Sequence, residues 1–318
     1  MHQQAGASPF PVHFDGKRYF NPGPPKPRGF RDVLRWQLTS RPQPSPRLVD
    51  DVRQSVPPPA VEGSELLVTL VNHSTLLIQQ RDSHVLTDPI WAERASPFAW
   101  IGPRRRRMPG VRLDDLPRID AVLVSHNHYD HLDLATLGWL AANRRCVFVV
   151  PCGVGRLLSS RGIAPVHELD WAESAPIAGG VVHGVPARHF AARGLFDRDR
   201  SLWCGFVIET AGGTVYFAGD TGFGDHFAQI RARHGAPRAA LLPIGAYEPR
   251  WFMSPVHMGP DEAIRAHRIL GAKTSIAMHH GTFQLTDESI DTPPKLLREC
   301  GADDSFVVLG NGQRVTLA

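Results

Sequence analysis

Residues 118–133 read RIDAVLVSHNHYDHLD. Ala121, Val122, Leu123 and Val124 form a short apolar run of the kind that makes a buried strand. The run ends abruptly in His126, His128, Asp130 and His131, the pattern H-x-H-x-D-H. Neutral imidazole and carboxylate are the usual ligands of zinc-like divalent ions. In extended chain, H-x-H puts both imidazoles on the same side. The turn that follows swings Asp130 and His131 towards a second point nearby. Four ligands within six residues are more than one tetrahedral ion takes comfortably from one loop, so the pattern implies two adjacent ions.

Outward from this stretch, short runs rich in Val, Ile, Leu and Phe alternate with polar turns from Glu65 onwards. They are ELLVTLVNHSTLLIQQ, HVLTD, CVFVVP, VVHGVPA, LWCGFVIET, TVYFAGD, AALLPIG, TSIAMHH, SFVVLG and RVTLA. Such runs predict buried strands. Helices are expected between them over Leu132–Asn143, Gly155–Arg161, Phe223–His234 and Pro260–Leu270. The last has Pro260 at its first position, Asp261 and Glu262 opposing the positive end of the dipole, and Gly271 to stop it. Asn311-Gly312, between the last two runs, predicts a tight hairpin. Residues 1–62 are rich in Pro, with a short helix expected in GFRDVLRWQLTS (29–40) and a boundary at VPPPAVEG (56–63). The organisation read from this is an N-terminal arm, 1–62, packing on a domain of 63–318.

The 318 residues are 42% hydrophobic and 21% charged, which excludes bulk disorder and a disulfide-built mini-scaffold. No apolar run approaches the roughly 18–20 residues of a membrane-spanning helix. The start, MHQQAGASPFPVHFDG, lacks the basic and apolar regions of a signal peptide. Cys146, Cys152, Cys204 and Cys300 form no C-x-x-C pair and read as reduced thiols, so a cytoplasmic location is expected. A net charge of +4 gives weak attraction to anionic surfaces and no nucleic-acid footprint.

A strand ending in H-x-H-x-D-H resembles the signature of the metallo-β-lactamase superfamily. That resemblance implies an α/β fold, an αββα sandwich with one or two metals at one edge. The likeness is closer to one family. TDPIWAERASPF (87–98), SHNHYDHLD (125–133), PARHFAARGLFDRDRSLW (186–203), GDTGFG (219–224), YEPRWFM (247–253) and HHGTFQLTDE (279–288) resemble the N-acylphosphatidylethanolamine-hydrolysing phospholipase D group, as does KRYFNPGPP with VLRWQL near the N-terminus. Residue by residue, the resemblance implies that His126, His128 and His189 hold one ion. Asp130, His131 and His279 would hold the other, with Asp220 between them. Two divalent ions are expected, zinc foremost, although His/Asp sites without Cys also accept iron or manganese. Such a pair activates a water between the ions and clamps the attacking and leaving oxygens. The implied reaction is hydrolysis of a phosphodiester in a phospholipid by metal-activated hydroxide. A lactonase or esterase of the same fold is the alternative, since the same nucleophile attacks carbonyl carbon. A nucleic-acid-processing hydrolase fits less well, because its basic binding arm is missing.

The family motif His-Trp-Gly-Thr-Phe stands here as His279-His280-Gly281-Thr282-Phe283. His279 aligns with the ligand, and in a strand its neighbour faces the opposite way. Around His73 the chain reads VNHST where the family tends to have Gly-His-Ala. Asp88 is expected to orient a ligand imidazole, His257 to protonate the leaving group or bind phosphate, and Tyr129 and Arg193 to contact phosphate. His73 reads as a donor beside the ligands or a core histidine. Arg104–Arg107 reads as a solvated loop, and His167, His183, His234 and His267 as ordinary residues. Trp139, Trp171 and Trp203 are expected in the core. Phe10, Phe14, Phe30 and Trp36 of the arm either line an apolar path to the metals, touch a bilayer or pack on the core. The expected partner is a small-molecule or lipid substrate, with peripheral membrane contact and a homodimer left open.

Overall fold

The computed structural model describes residues 10–25, 28–194 and 196–317. The N-terminal leader reading over residues 1–9 and the Phe30 side chain lie outside the described part. The chain runs α1 (Phe30–Thr39), β1 (Leu66–Asn72), β2 (Thr75–Gln80), β3 (Ser83–Thr87), β4 (Ala121–Leu123), α2 (Leu134–Asn143), β5 (Val147–Pro151), α3 (Gly155–Ser159), β6 (Val166–Leu169), β7 (Ser174–Ile177), β8 (Gly180–Val185), β9 (Gly205–Thr210) and β10 (Gly213–Phe217). It continues through α4 (His226–His234), β11 (Ala239–Pro243), α5 (Arg250–Met253), α6 (Pro260–Leu270), β12 (Thr274–Met278), α7 (Thr292–Glu299), β13 (Phe306–Val307) and β14 (Arg314–Leu317).

The strands form two seven-stranded sheets, ordered β14-β1-β2-β3-β4-β5-β6 and β13-β12-β11-β10-β9-β8-β7. Strands β3 to β6 are parallel, as are β10 to β13, and the other pairs are antiparallel. Side chains alternate across each strand. In the first sheet Leu76, Ile78, Ala121 and Leu123 face the core shared with Phe206, Ile208, Val215 and Phe217 of the second. Leu77, Val122, Val124 and Phe148 face outwards, against Leu137 and Leu140 of α2 and Leu158 of α3. Phe227 and Ile230 of α4 and Ile264 of α6 pack on the second sheet. The layers are helix, sheet, sheet, helix.

Helix α6 spans the expected residues, with Glu262 accepting from the Gly259 N–H and left-handed Gly271 (φ 61°) ending it. Helix α2 starts two residues later than expected, because Asp133 caps it by accepting from the Ala135 and Thr136 amides. Asn311-Gly312 does not close a hairpin. Strand β13 pairs with β12 and β14 with β1, so this turn carries the chain from one sheet to the other. Nor is the arginine run solvated throughout: Arg104 is exposed, but the next three are not. Arg105 is buried and donates to Asn72 Oδ1, Ile90 O and Ala92 O (2.8, 3.0 and 3.1 Å), with its guanidinium over Phe283. A buried guanidinium survives only where such acceptors replace water. Arg107 is bound to Asp51, Asp291 and the Gly281 carbonyl.

Residues upstream of β1 reach the core at several points. Phe10 is buried in the inter-sheet cluster, Asn21 donates to the His189 carbonyl (2.7 Å), and Trp36 of α1 stacks on Phe252 at 5.0 Å. Trp171 and Trp203 are buried, while Trp139 packs on the outer face beside Arg144. No helix among the described residues is long and apolar enough to cross a membrane.

Candidate metal centre

The parallel strands of both sheets end at one edge, the usual place for a site in such sheets. Asp88 follows β3, His126 follows β4, Asp220 follows β10 and His279 follows β12. His189 arrives on the loop after β8. The turn into Asp220 needs glycine. Gly219 has φ 59°, and a Cβ there would lie 2.7 Å from the Ser125 Cβ. Gly245 is similarly confined, since its Cβ would meet the His279 carbonyl oxygen at 2.0 Å. His73, Asp88 and His279 all hold positive φ (48°, 34° and 58°), a costly conformation that clusters at functional sites. Strand β12 stops at Met278, so rotation about His279, not strand alternation, separates its ring from that of His280. The His280 ring lies on the other side, near Arg107 and Asp291, where burial and Arg107 push it down to about 4.

Two groups of ligand atoms result. His126 Nε2, His128 Nδ1 and His189 Nε2 converge, at 2.8 and 3.2 Å from the central His128 nitrogen. Around Asp130 Oδ2 lie His73 Nε2, His131 Nε2 and His279 Nε2, at 3.1, 3.2 and 3.4 Å. Asp220 Oδ2 stands between the groups, 3.0 Å from His279 Nε2, 3.2 Å from His131 Nε2 and 3.8 Å from His189 Nε2. These spacings suit donors sharing one ion, because bonds of about 2.0–2.1 Å in a tetrahedron put neighbouring ligand atoms about 3.3 Å apart. His131 Nε2, His279 Nε2 and Asp220 Oδ1 are buried with no aligned hydrogen bond. Leaving each so costs about 1–3 kcal/mol, which a cation at the same point relieves. The donor set therefore fits a bound divalent metal.

Outer partners fix which ring nitrogens face the centre. His131 Nδ1–H donates to Asp88 Oδ2 (2.6 Å), His189 Nδ1–H to the Val256 carbonyl (3.0 Å) and His126 Nδ1–H to Ser125 Oγ (2.9 Å). Ser125 in turn donates its hydroxyl and amide to Asp88. Each of the three rings thereby presents Nε2. Burial opposes charge throughout, and at the two carboxyls the neighbours outweigh it. Burial is outweighed at Asp220 by the imidazoles of His131 and His279, and at Asp130 by those of His131, His279 and His73. Both carboxyls sit well below their ordinary range. Burial and neighbouring imidazoles push His128 down to about 3, and burial pushes His189 down to about 4. At neutral pH the carboxylates are anionic and these imidazoles neutral, the forms in which each binds metal.

The sequence-derived set His126, His128, Asp130, His131, His189, Asp220 and His279 is thus gathered at one point, with Asp88 behind it. His257 also approaches, its Nδ1 3.9 Å from Asp220 Oδ2. His73 stands where a donor beside the ligands would, buried with its Nε2 3.1 Å from Asp130 Oδ2; its turn position after β1 offered no spacing signal. Tyr129 and Arg193 are not brought to the centre. Arg193 lies over the Tyr129 ring and donates to the Asn127 and Leu132 carbonyls (3.0 and 2.8 Å), bracing the ligand loop from behind. Neither lines the cavity that opens onto Asp130 and Asp220. Asp88→Asn should leave a donor facing donors. A 10–100-fold loss of metal affinity by competition with a chelator is expected, with stability lower by about 1–3 kcal/mol.

The description "Beta-lactamase superfamily domain" matches residues 83–280. The chain belongs to the metallo-β-lactamase superfamily and is a metal-dependent hydrolase. Within that class it is 37% identical over 268 residues to N-acyl-phosphatidylethanolamine-hydrolyzing phospholipase D 1 of Caenorhabditis elegans, covering 79% of this chain and 75% of that one. It is 41% identical over 261 residues to an uncharacterized protein of Mycobacterium tuberculosis, covering 80% and 69%. Among solved structures, an isothiocyanate hydrolase from Delia radicum gut bacteria shares the fold, with TM-score 0.63 and 22% identity over 78% of this chain and 98% of that one.

Proposed function

We propose that the protein is a phospholipase D-type phosphodiesterase acting on N-acylphosphatidylethanolamine-like lipids, releasing an N-acylethanolamine and a phosphatidic acid. The observation that carries this reading is a cavity of about 370 Å³ lined by His128, Asp130, Asp220 and His257 of the centre. Its walls include Val33, Trp36, Phe252, Met253, Val256 and Leu285, and Arg28 and Arg198 also line it. An anionic phosphate joined to apolar chains matches both the cations and the walls. The phospholipase D relative supports the same reading.

When bound, the two ions supply an activated water and neutralise charge on phosphate oxygens. His126, His128 and His189 would hold one, Asp130, His131 and His279 the other, with Asp220 between them and His73 beside Asp130. The apolar walls exclude bulk water and orient the lipid. Burial holds His257 well below its ordinary pKa, so it meets the cavity as a neutral ring able to donate one hydrogen bond to a phosphate oxygen.

The test is a turnover panel on zinc-loaded protein: N-acylphosphatidylethanolamine in mixed micelles, a lactone and a simple carboxylic ester. Release of N-acylethanolamine should dominate. Faster turnover of lactone or ester, or release of a fatty acid from glycerol, overturns the assignment.

A further inference from the structure

A second convergence of metal-binding side chains lies away from the strand ends. Strands β8 and β9 pair with His183 opposite Val207, so His183 and Glu209 share one face of the sheet as diagonal neighbours. Helix α4 covers that face and ends in His234. His234 Nδ1 lies 2.9 Å from Glu209 Oε1, and His183 Nε2 lies 3.3 Å from Glu209 Oε2. The two imidazole rings are 5.0 Å apart. All three ligand atoms fall within 4.8 Å of one another.

We propose that His183, Glu209 and His234 form a further cation site that takes one zinc-class divalent ion and fastens the C-terminal end of α4 to β8 and β9. Two imidazoles and a carboxylate are a complete three-ligand set for such an ion, with solvent in the fourth position. The alternative is an ordinary carboxylate shared by two histidines. Against it, His183 Nε2 is buried and makes no aligned hydrogen bond although it sits 3.3 Å from Glu209. That separation is the edge of a tetrahedron with bonds of about 2.0–2.1 Å. The Glu209 side chain is 43% exposed, which leaves an entry path for the ion and its water. The site is distinct from the centre at the strand ends. Glu209 stands four residues beyond Gly205, where β9 leaves that edge, about 13 Å along the strand.

The test is metal content of the full chain, stripped with a chelator, reloaded with excess zinc and desalted. Wild type is compared with His183→Ala, His234→Ala and Glu209→Gln. Each variant should hold one zinc per chain fewer than wild type and lose part of the zinc-induced rise in Tm, with lipid turnover unchanged. Glu209→Gln keeps the shape of the side chain and guards against a folding artefact in the alanine variants. Zinc content equal to wild type in the Glu209→Gln protein overturns the proposal, whatever the substrate of the main centre proves to be.

Discussion

Asp220→Asn is expected to cost the protein more than about 100-fold in metal affinity, beyond the range seen when only an outer partner is lost, and to remove phosphodiester turnover with it. The reasoning is geometric. Oδ2 of Asp220 is the atom that stands within 3.2 Å of one imidazole nitrogen from β4's loop and one from the end of β12. It is also the atom that faces His189 in the other ligand group. Asparagine keeps the shape and the hydrogen-bond reach but removes the charge. Two cations held close together would need that charge most, because it faces both ligand groups. Elemental analysis and turnover of the same preparation check the outcome. Undiminished turnover with both ions retained would show that Asp220 does not join the two halves.

The neighbouring pair His279 and His280 separates ligand from bystander. His279→Ala should lose metal from the group around Asp130, together with turnover. His280→Ala should keep both, because its ring lies towards Arg107 and Asp291 and not towards Asp220. Metal loss from His280→Ala with retention in His279→Ala would move the ligand by one residue. In that case the left-handed backbone at His279 would have no part in the centre.

Much of this was legible in the chain because it is local. An apolar run ending in H-x-H-x-D-H carries strand, turn and ligands within one short stretch. Helix α6 is equally self-contained, its first residue, its capping glutamate and its terminal glycine all lying within twelve positions from Pro260 to Gly271. What failed depends on partners far away in sequence. Asn311-Gly312 has the composition of a hairpin, yet each flanking strand finds a longer-range partner in a different sheet. The strands VHEL and SAPI were missed because both are short, partly exposed edge strands without a clear apolar run. Arg105 looked solvated within a run of four arginines, and only the fold brings Asn72 and two carbonyls to it. His183 and His234 read as ordinary because β8, β9 and α4 must assemble before they meet.

Trp36 stacks on Phe252 over the cavity, on a helix that lies outside residues 83–280, the part matched by the superfamily description. The metal-binding floor and part of the ceiling above it are therefore encoded by separate stretches of chain. Under the proposed lipid reading, changes in 30–39 would retune which acyl chains are admitted while the chemistry beneath stays intact. Selectivity in this architecture can diverge between relatives without any ligand being touched.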